Sequence, residues 1–188
     1  MTRPATAPAD RTGRSKTGSR PTVAARPDAR RLAMLAAAGS AALLAGAYAF
    51  QAAGYAPCRM CYWQRWPHFA AVGVGLLIWS LRRGAPAGVL RALAALGALA
   101  AATTAGMAVF HTGVERGWWE GPASCTGGGL AGLSGTDLLA RDGPGIVMCD
   151  EVAWSLLGLS MASWNAVASA ALVAIWLLAA RRAGIART

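Results

Sequence analysis

The stretch that decides the fold is Leu32 to Ala53, LAMLAAAGSAALLAGAYAFQAA, which contains no charged residue. A helix needs about 20 mostly apolar residues to cross the hydrocarbon core of a bilayer. Three further windows have a similar length and composition: Tyr62–Leu81, Leu90–Phe110 and Met161–Ala180. The window Tyr62–Leu81 starts with polar residues and is wholly uncharged only from Phe69 onward. We therefore predict an all-α membrane protein, a bundle of four transmembrane helices with spans 32–53, 62–81, 90–110 and 161–180.

The composition of the chain agrees with this interpretation. Of its 188 residues, 55% are hydrophobic and 14% are charged. A soluble domain has about 45–50% apolar and about 25% charged residues, so a soluble enzyme is disfavoured. The net charge of +10 does not indicate nucleic-acid binding, because most of it lies outside the apolar runs. A nucleic-acid-binding domain concentrates such charge on a folded surface.

The positions of the basic residues predict the orientation in the membrane. Residues 1–31 contain eight of the 18 Lys and Arg side chains, residues 82–91 contain three, and residues 181–187 contain three. Basic segments next to spans stay on the cytoplasmic side. We therefore expect both termini in the cytoplasm and the loops 54–61 and 111–160 on the outer side.

The segments that flank the spans differ in composition. Residues 1–31 are rich in Arg, Pro, Ser, Thr and Ala and lack apolar periodicity, which predicts a disordered basic cytoplasmic tail. A cleaved signal peptide is the alternative, but the first apolar run is longer than the usual signal core of about 7–15 residues. The membrane domain then covers residues 32–181, and residues 182–188 form a short cytoplasmic tail. The long loop between the third and fourth helices is rich in glycine, which makes it easy to remodel.

All four cysteines fall on the predicted outer side: Cys58, Cys61, Cys125 and Cys149. The first two form a CxxC motif. A c-type haem site is excluded because Tyr62, not histidine, follows the motif. A four-cysteine zinc site is disfavoured because the second two cysteines lie far apart in sequence. Structural disulfides stay open as an alternative, whereas a CxxC on an oxidising face is typical of a redox-active pair.

The position of Cys61 indicates reactive chemistry. It falls in the first turn of the second predicted helix, where the helix dipole, Arg59 and Arg65 would lower the pKa of its thiol. Arg65 lies one turn further on the same face and could donate to an electron-accepting ligand or extend to lipid headgroups. Because the sequence has no soluble-cofactor motif, a lipid-soluble quinone is the natural acceptor beside Cys61. His111 ends the third span at the same depth and could be a second donor or an interfacial side chain.

Several segments, taken in order, are similar to one known family. Residues 57–65 read PCRMCYWQR, residues 111–115 read HTGVE, residues 121–125 read GPASC and residues 149–165 read CDEVAWSLLGLSMASWN. Together they resemble the DsbB family, the bacterial inner-membrane thiol:quinone oxidoreductases. The resemblance covers roughly residues 32–180.

The resemblance implies a function, a cofactor and a partner. The chain would reoxidise a periplasmic DsbA-like thioredoxin-fold oxidase and pass the electrons to a membrane quinone, ubiquinone or menaquinone. That quinone would lie beside Arg65 and His111. The protein would be a multi-pass protein of the bacterial inner membrane, surrounded by lipid, with its cysteines in the periplasm. We expect a monomer.

The resemblance also implies a role for each cysteine. Cys58 and Cys61 would be the pair next to the quinone, and the Cys61 thiolate would react with the quinone directly. Cys125 and Cys149 would be the distal pair. Cys125 would form the mixed disulfide with the partner, and Cys149 would exchange with Cys58.

Two other functions stay open at the level of the sequence. Quinone-linked thiol oxidoreductases of the vitamin-K-epoxide-reductase type also combine a four-helix bundle with a CxxC. In that class the motif typically comes late in the bundle, whereas here it precedes the second helix. A non-enzymatic membrane scaffold with two structural disulfides is the other alternative.

Overall fold

The computed structural model describes residues 27–81, 84–126 and 147–184. These residues form four helices and one short hairpin. The elements, in chain order, are α1 (Pro27–Ala52), α2 (Arg59–Ser80), α3 (Ala87–Glu115), β1 (Ser155–Leu156), β2 (Leu159–Ser160) and α4 (Met161–Gly184). The two strands pair antiparallel directly before α4.

The four helices form a ring in chain order. Helix α1 packs against α2 and α4, and α3 packs against α2 and, most extensively, against α4. Because short connections join α1 to α2 and α2 to α3, these neighbours run antiparallel. The end of α3 and the start of α2 therefore lie at one end of the bundle, where the cysteines also cluster.

Small residues allow the helices to approach each other closely. Gly75 of α2 lies against Ala37 of α1, and Gly97 of α3 lies against the fully buried ring of Trp176 in α4. A Cβ at either glycine would overlap its neighbour. Such contacts are typical of helices that pack in lipid, where small residues bring the backbones together.

Three helices are long and apolar enough to cross a membrane: Asp28–Ala52, Ala87–Glu115 and Met161–Gly184. Helix α2 is not among them. Polar side chains in its first turns, including Gln64, Arg65 and His68, lower its mean hydropathy. Residues 62–80 of the second predicted span, 62–81, are helical in the structure, and the crossing of the membrane by this helix stays a prediction.

Several element boundaries differ from the sequence prediction. Helix α1 begins at Pro27, so residues 27–31 are helical rather than part of a disordered tail. Helices α2 and α3 extend into the predicted loops 54–61 and 111–160. Hydropathy marks the apolar part of a helix, whereas the helix itself continues through polar residues to its caps. The predicted tail segments 1–26 and 185–188 and the glycine-rich segment 127–146 lie outside the described residues.

Candidate redox site

The CxxC motif forms the first turn of α2. Cys58 is the N-cap residue, and its sulfur accepts a hydrogen bond from the backbone N–H of Cys61 at 3.2 Å. This bond satisfies one of the N–H groups that have no partner at the start of a helix. The same turn brings the two sulfur atoms to 2.8 Å, within hydrogen-bonding distance. The spacing of the motif therefore creates both the cap and the sulfur pair.

The electrostatics of this pair favour a thiolate on Cys58. The hydrogen bond from the Cys61 thiol, with a contribution from His111 and against the effect of burial, lowers the pKa of Cys58 to about 5. The same bond raises the pKa of Cys61. The sequence-based expectation of a lowered pKa at Cys61 is therefore wrong in this state. Arg65, which was expected to contribute, is engaged by other partners.

The second pair of cysteines packs against the first. Cys125 and Cys149 form a disulfide with a Cα–Cα distance of 5.3 Å. Their side chains are 4% and 0% exposed and lie in one cluster with Cys58, Met60 and Val114. All four cysteines thus meet at one end of the bundle. The bonded sulfurs are not thiolates, so the four-cysteine zinc site weighed from the sequence does not form in this state.

Three possible ligand atoms, from Cys58, Cys61 and His111, lie within 4.8 Å of one another. A closed structural zinc site takes four ligands. The three groups here are already paired with each other through hydrogen-bonding contacts. We therefore assign them to thiol chemistry.

His111 lies at the end of α3 and faces Cys58. Its ring is 3% exposed, and its Nε2 atom is 3.6 Å from the Cys58 sulfur. Oε1 of Glu115 lies 3.9 Å from the same nitrogen. The Ser160 hydroxyl donates to the Glu115 carboxylate. The predicted site residue His111 is thus paired with the redox motif itself.

A chain of hydrogen bonds continues from His111 across the bundle. We call it the buried polar chain; its members are His111, Gln64, Asn165 and His68. Nε2 of Gln64 lies 2.9 Å from Nδ1 of His111, and Nδ2 of Asn165 donates to Oε1 of Gln64 at 2.7 Å. Oδ1 of Asn165 is 3.1 Å from Nε2 of His68. The chain links α3, α2 and α4.

Arg65 is buried, with 7% of its surface exposed. Its Nη1 donates to Oε1 of Gln51 at 2.9 Å, and its guanidinium carbon lies 4.6 Å from the ring centroid of Tyr48 and 4.9 Å from that of Tyr62. Two aromatic faces and an amide oxygen therefore hold this cation. It does not extend freely to the headgroups, which was the alternative drawn from the sequence.

A cavity of about 460 Å³ opens beside the CxxC. Its polar wall includes Cys61, Arg65, His68 and His111, and most of its remaining wall is apolar, contributed by α1, α4 and the loop before α2. The volume is in the range of sites for small organic ligands. Nδ1 of His68 is buried and has no hydrogen-bond partner among the described residues.

Three members of the buried polar chain, Gln64, His68 and Asn165, were not predicted as site residues from the sequence. A signal for two of them exists, because Cys61, Gln64 and His68 are spaced three and seven residues apart, which places them on one helix face. Asn165 has no comparable signal, since it is a single amide in an apolar helix.

Comparisons with known proteins identify the family of the chain. The sequence model of the family described as "Disulfide bond formation protein DsbB" matches residues 29–179. The chain is 38% identical over 150 residues to Disulfide bond formation protein B of Azoarcus sp. (strain BH72), covering 76% of this chain and 87% of the relative. It is 32% identical over 160 residues to the protein of the same name from Verminephrobacter eiseniae (strain EF01-2), covering 83% and 87%. No solved structure gives a significant match.

Proposed function

Since the chain belongs to the DsbB family, it is a disulfide-generating membrane oxidoreductase, and we propose that it reoxidises a DsbA-like thioredoxin-fold partner and passes the electrons to a membrane quinone. One observation carries the proposal: both cysteine pairs lie in one buried cluster beside a largely apolar cavity. A structural scaffold has no need for a free thiol pair next to such a cavity. The early position of the CxxC also disfavours the vitamin-K-epoxide-reductase type.

The residues of the cavity fit a quinone ring. Its apolar walls suit a lipid-soluble molecule, and Arg65 has five N–H donors, of which one contacts Gln51. The lone pair on Nδ1 of His68 can accept a hydrogen bond from a hydroxyl group of a ligand in the cavity. Arg65 and His68 would thus hold the ring next to Cys61, and His111 lies in the same wall of the cavity. When bound, a quinone, ubiquinone or menaquinone, supplies an acceptor for two electrons and two protons.

The proposed order of thiol exchange begins at the distal pair. Cys125 would form the mixed disulfide with the partner, which breaks the bond between Cys125 and Cys149. The released Cys149 would then attack Cys58 and break the bond between Cys58 and Cys61. When the partner leaves in its oxidised form and Cys149 bonds to Cys125 again, Cys58 and Cys61 are left as thiols. The described state, with Cys125 and Cys149 bonded and Cys58 and Cys61 free, supports this order because it corresponds to the end of that exchange.

The inner pair would then be reoxidised. Two electrons and the thiol proton of Cys61 would leave the CxxC, a disulfide would form between its sulfurs, and the second proton that a quinone takes up would come from water. The Cys58 thiolate would form the new bond to the Cys61 sulfur, and Cys61 would give up its proton; both sulfurs line the cavity in which the electron acceptor would bind. The lowered pKa of Cys58 keeps this nucleophile ready at neutral pH.

We place the protein in the bacterial inner membrane as a monomer, with both termini cytoplasmic and the cysteines periplasmic. Arg181 and Arg182 lie in the last turn of α4, away from the cysteine end, in support of this orientation. Helix α2 would be the fourth span, since Leu76 and Trp79 are 60% and 55% exposed on its surface. Labelling of reduced cells with a membrane-impermeant maleimide tests the orientation, which requires reaction from the periplasmic side.

A reconstituted assay tests the function. The purified protein in lipid vesicles receives a soluble short-chain quinone and a reduced thioredoxin-fold CxxC protein, and the ultraviolet band of the quinone is followed. We expect reduction of the quinone at the rate at which the partner is oxidised. Each of the four single Cys→Ser variants should lose activity, whereas Ser80→Ala, a matched hydroxyl deletion on the exposed surface of α2, should keep it. Equal rates in all variants, or no quinone reduction by the wild type, would contradict the proposal.

A further inference from the structure

The carbonyl oxygen of Met60 fixes the direction of the buried polar chain. Nε2 of Gln64 lies 3.3 Å from this oxygen and 2.9 Å from Nδ1 of His111. Because a carbonyl oxygen only accepts hydrogen bonds, the Gln64 atom between the two must be the NH2 group. Nδ1 of His111 is therefore the acceptor, and the ring carries its proton on Nε2.

Asn165 holds Gln64 in this orientation. Its Nδ2 donates to Oε1 of Gln64 at 2.7 Å, and its Oδ1 accepts from the Ser169 hydroxyl at 3.2 Å. A Gln64 amide turned by 180° would present its NH2 group to the NH2 group of Asn165 and its oxygen to the Met60 carbonyl. Both contacts would be repulsive, so the two neighbours together select one orientation.

The other face of the His111 ring is directed at acceptors. Nε2 lies 3.6 Å from the Cys58 sulfur and 3.9 Å from Oε1 of Glu115. Cys58 is 4% exposed, and a buried thiolate needs donors from the protein because water supplies few. The Cys61 backbone N–H donates to its sulfur, and the Cys61 thiol and His111 lie where they can donate to a Cys58 thiolate.

We propose that Gln64 and Asn165 are positioning residues that hold His111 with its proton on Nε2, directed at Cys58, and thereby favour the thiolate of Cys58. If the donor of Gln64 is lost, the His111 ring is free to place its lone pair toward the sulfur, which disfavours the thiolate. The titratable groups that face Cys58 are Cys61, His111 and Glu115. This inference rests on the thiol chemistry of the proposed function but not on the identity of the electron acceptor.

Alkylation of Cys58 tests the inference without any quinone. The full-length protein with Cys125→Ser and Cys149→Ser is reduced, and its reaction with iodoacetamide is measured from pH 4 to pH 9, with the modified cysteine identified by mass spectrometry. For Gln64→Met, which keeps the side-chain length, we expect about a fivefold lower rate at the wild-type midpoint and a midpoint at higher pH, as for one lost hydrogen bond. Asn165→Leu should shift the midpoint in the same direction by less.

Thr104→Val is the matched control. Thr104 is fully buried on α3, and its hydroxyl donates to the backbone carbonyl of Gln64 at 3.1 Å, so the variant removes a buried hydrogen bond without changing the amide of Gln64. Its alkylation midpoint should equal that of the wild type. A midpoint that is unchanged in Gln64→Met, or that shifts equally in Thr104→Val, would overturn the inference.

Nitrogen NMR tests the position of the proton directly. The chain has two histidines, so ¹⁵N-histidine labelling gives two imidazole spin systems, which His68→Gln assigns. In the wild type we expect that Nε2 of His111 is protonated and that Nδ1 is unprotonated. In Gln64→Glu, a carboxylate replaces the donor, and a proton should appear on Nδ1. A wild-type His111 with its proton on Nδ1, or a Gln64→Glu spectrum identical to the wild type, contradicts the proposal even if the quinone assay succeeds.

Discussion

The two ends of the helix bundle solve the problem of packing in different ways. The end at which α1 begins and α4 ends packs small residues such as Ala33, Ala94 and Ala179 around the fully buried Trp176. The cysteine end instead packs sulfur atoms, histidines and amides, whose polar groups are joined by the buried polar chain. Burial of polar groups is costly unless they are paired. The cysteine end therefore needs a specific hydrogen-bond network, whereas the apolar end needs only close contact between side chains. Stability and reactivity should therefore respond to different substitutions.

The largest expected effect on stability is at the apolar end. Trp176→Ala removes a fully buried ring and should lower the free energy of unfolding by about 3–5 kcal/mol. Unfolding in mixed detergent micelles measures this loss. The pH profile of Cys58 alkylation should stay that of the wild type. A shifted profile would show that the two ends are coupled and would break the comparison.

A smaller loss is expected from Gly97→Ala on α3. The added methyl group would overlap the Trp176 ring, and such overpacking costs about 1–3 kcal/mol. Gly106→Ala on the same helix is the control, because a Cβ there meets nothing within 4 Å. The same unfolding measurement should show no loss for Gly106→Ala. Equal destabilisation of both variants would argue against tight helix contact at Gly97.

Arg65→Lys tests whether a polar residue at the cysteine end affects ligand binding. Lysine keeps the charge but loses the planar group that stacks between Tyr48 and Tyr62. We expect about a tenfold higher KM for the quinone, as for a loss of about 1.4 kcal/mol in binding. The reconstituted assay measures it, with the KM for the thioredoxin-fold partner as the internal reference. A higher KM for the partner alone would place Arg65 outside the quinone site.

The smallest expected effect is the gradual change of Cys58 reactivity with pH. Its pKa is lowered from 9.0 to about 5, so its thiolate, and the stability it adds to the reduced fold, is fully present above pH 9 and is lost as the pH falls through about 5. Alkylation of Cys58 should thus be nearly constant from pH 9 to pH 6 and fall about tenfold by pH 4. The stability difference between wild type and Cys58→Ser should shrink steadily as the pH falls from 9 to about 5. A midpoint near 9 would contradict the assigned thiolate.

The helices and the motif could be predicted from the sequence because both are local. Each apolar run marks a helix, and the CxxC spacing fits one helical turn, with Cys58 as the cap. The location of the thiolate was not predictable in this way. It depends on the direction of the Cys61 thiol and on His111, which lies 53 residues away in sequence.

The buried polar chain could not be predicted from the sequence either, because its partners also lie far apart along the chain. Its bonds join Gln64 to His111 and Gln64 to Asn165, which are separated by 47 and 101 residues. Helical spacing places Gln64 and His68 on the face of Cys61, but only the packing of α2 against α3 and α4 supplies their partners. The packing of α2 against α1 likewise places Arg65 between the rings of Tyr48 and Tyr62.

The contact between the two cysteine pairs is the basis of the proposed electron path, and one trapping experiment tests it most directly. Fully oxidised protein, with both disulfides formed, is mixed with one equivalent of the reduced thioredoxin-fold partner without quinone, quenched in acid and analysed by mass spectrometry. We predict that Cys125 and Cys149 are again bonded to each other and that Cys58 and Cys61 are thiols, which is the described state. Thiols that remain on Cys125 and Cys149, with Cys58 still bonded to Cys61, would contradict the account.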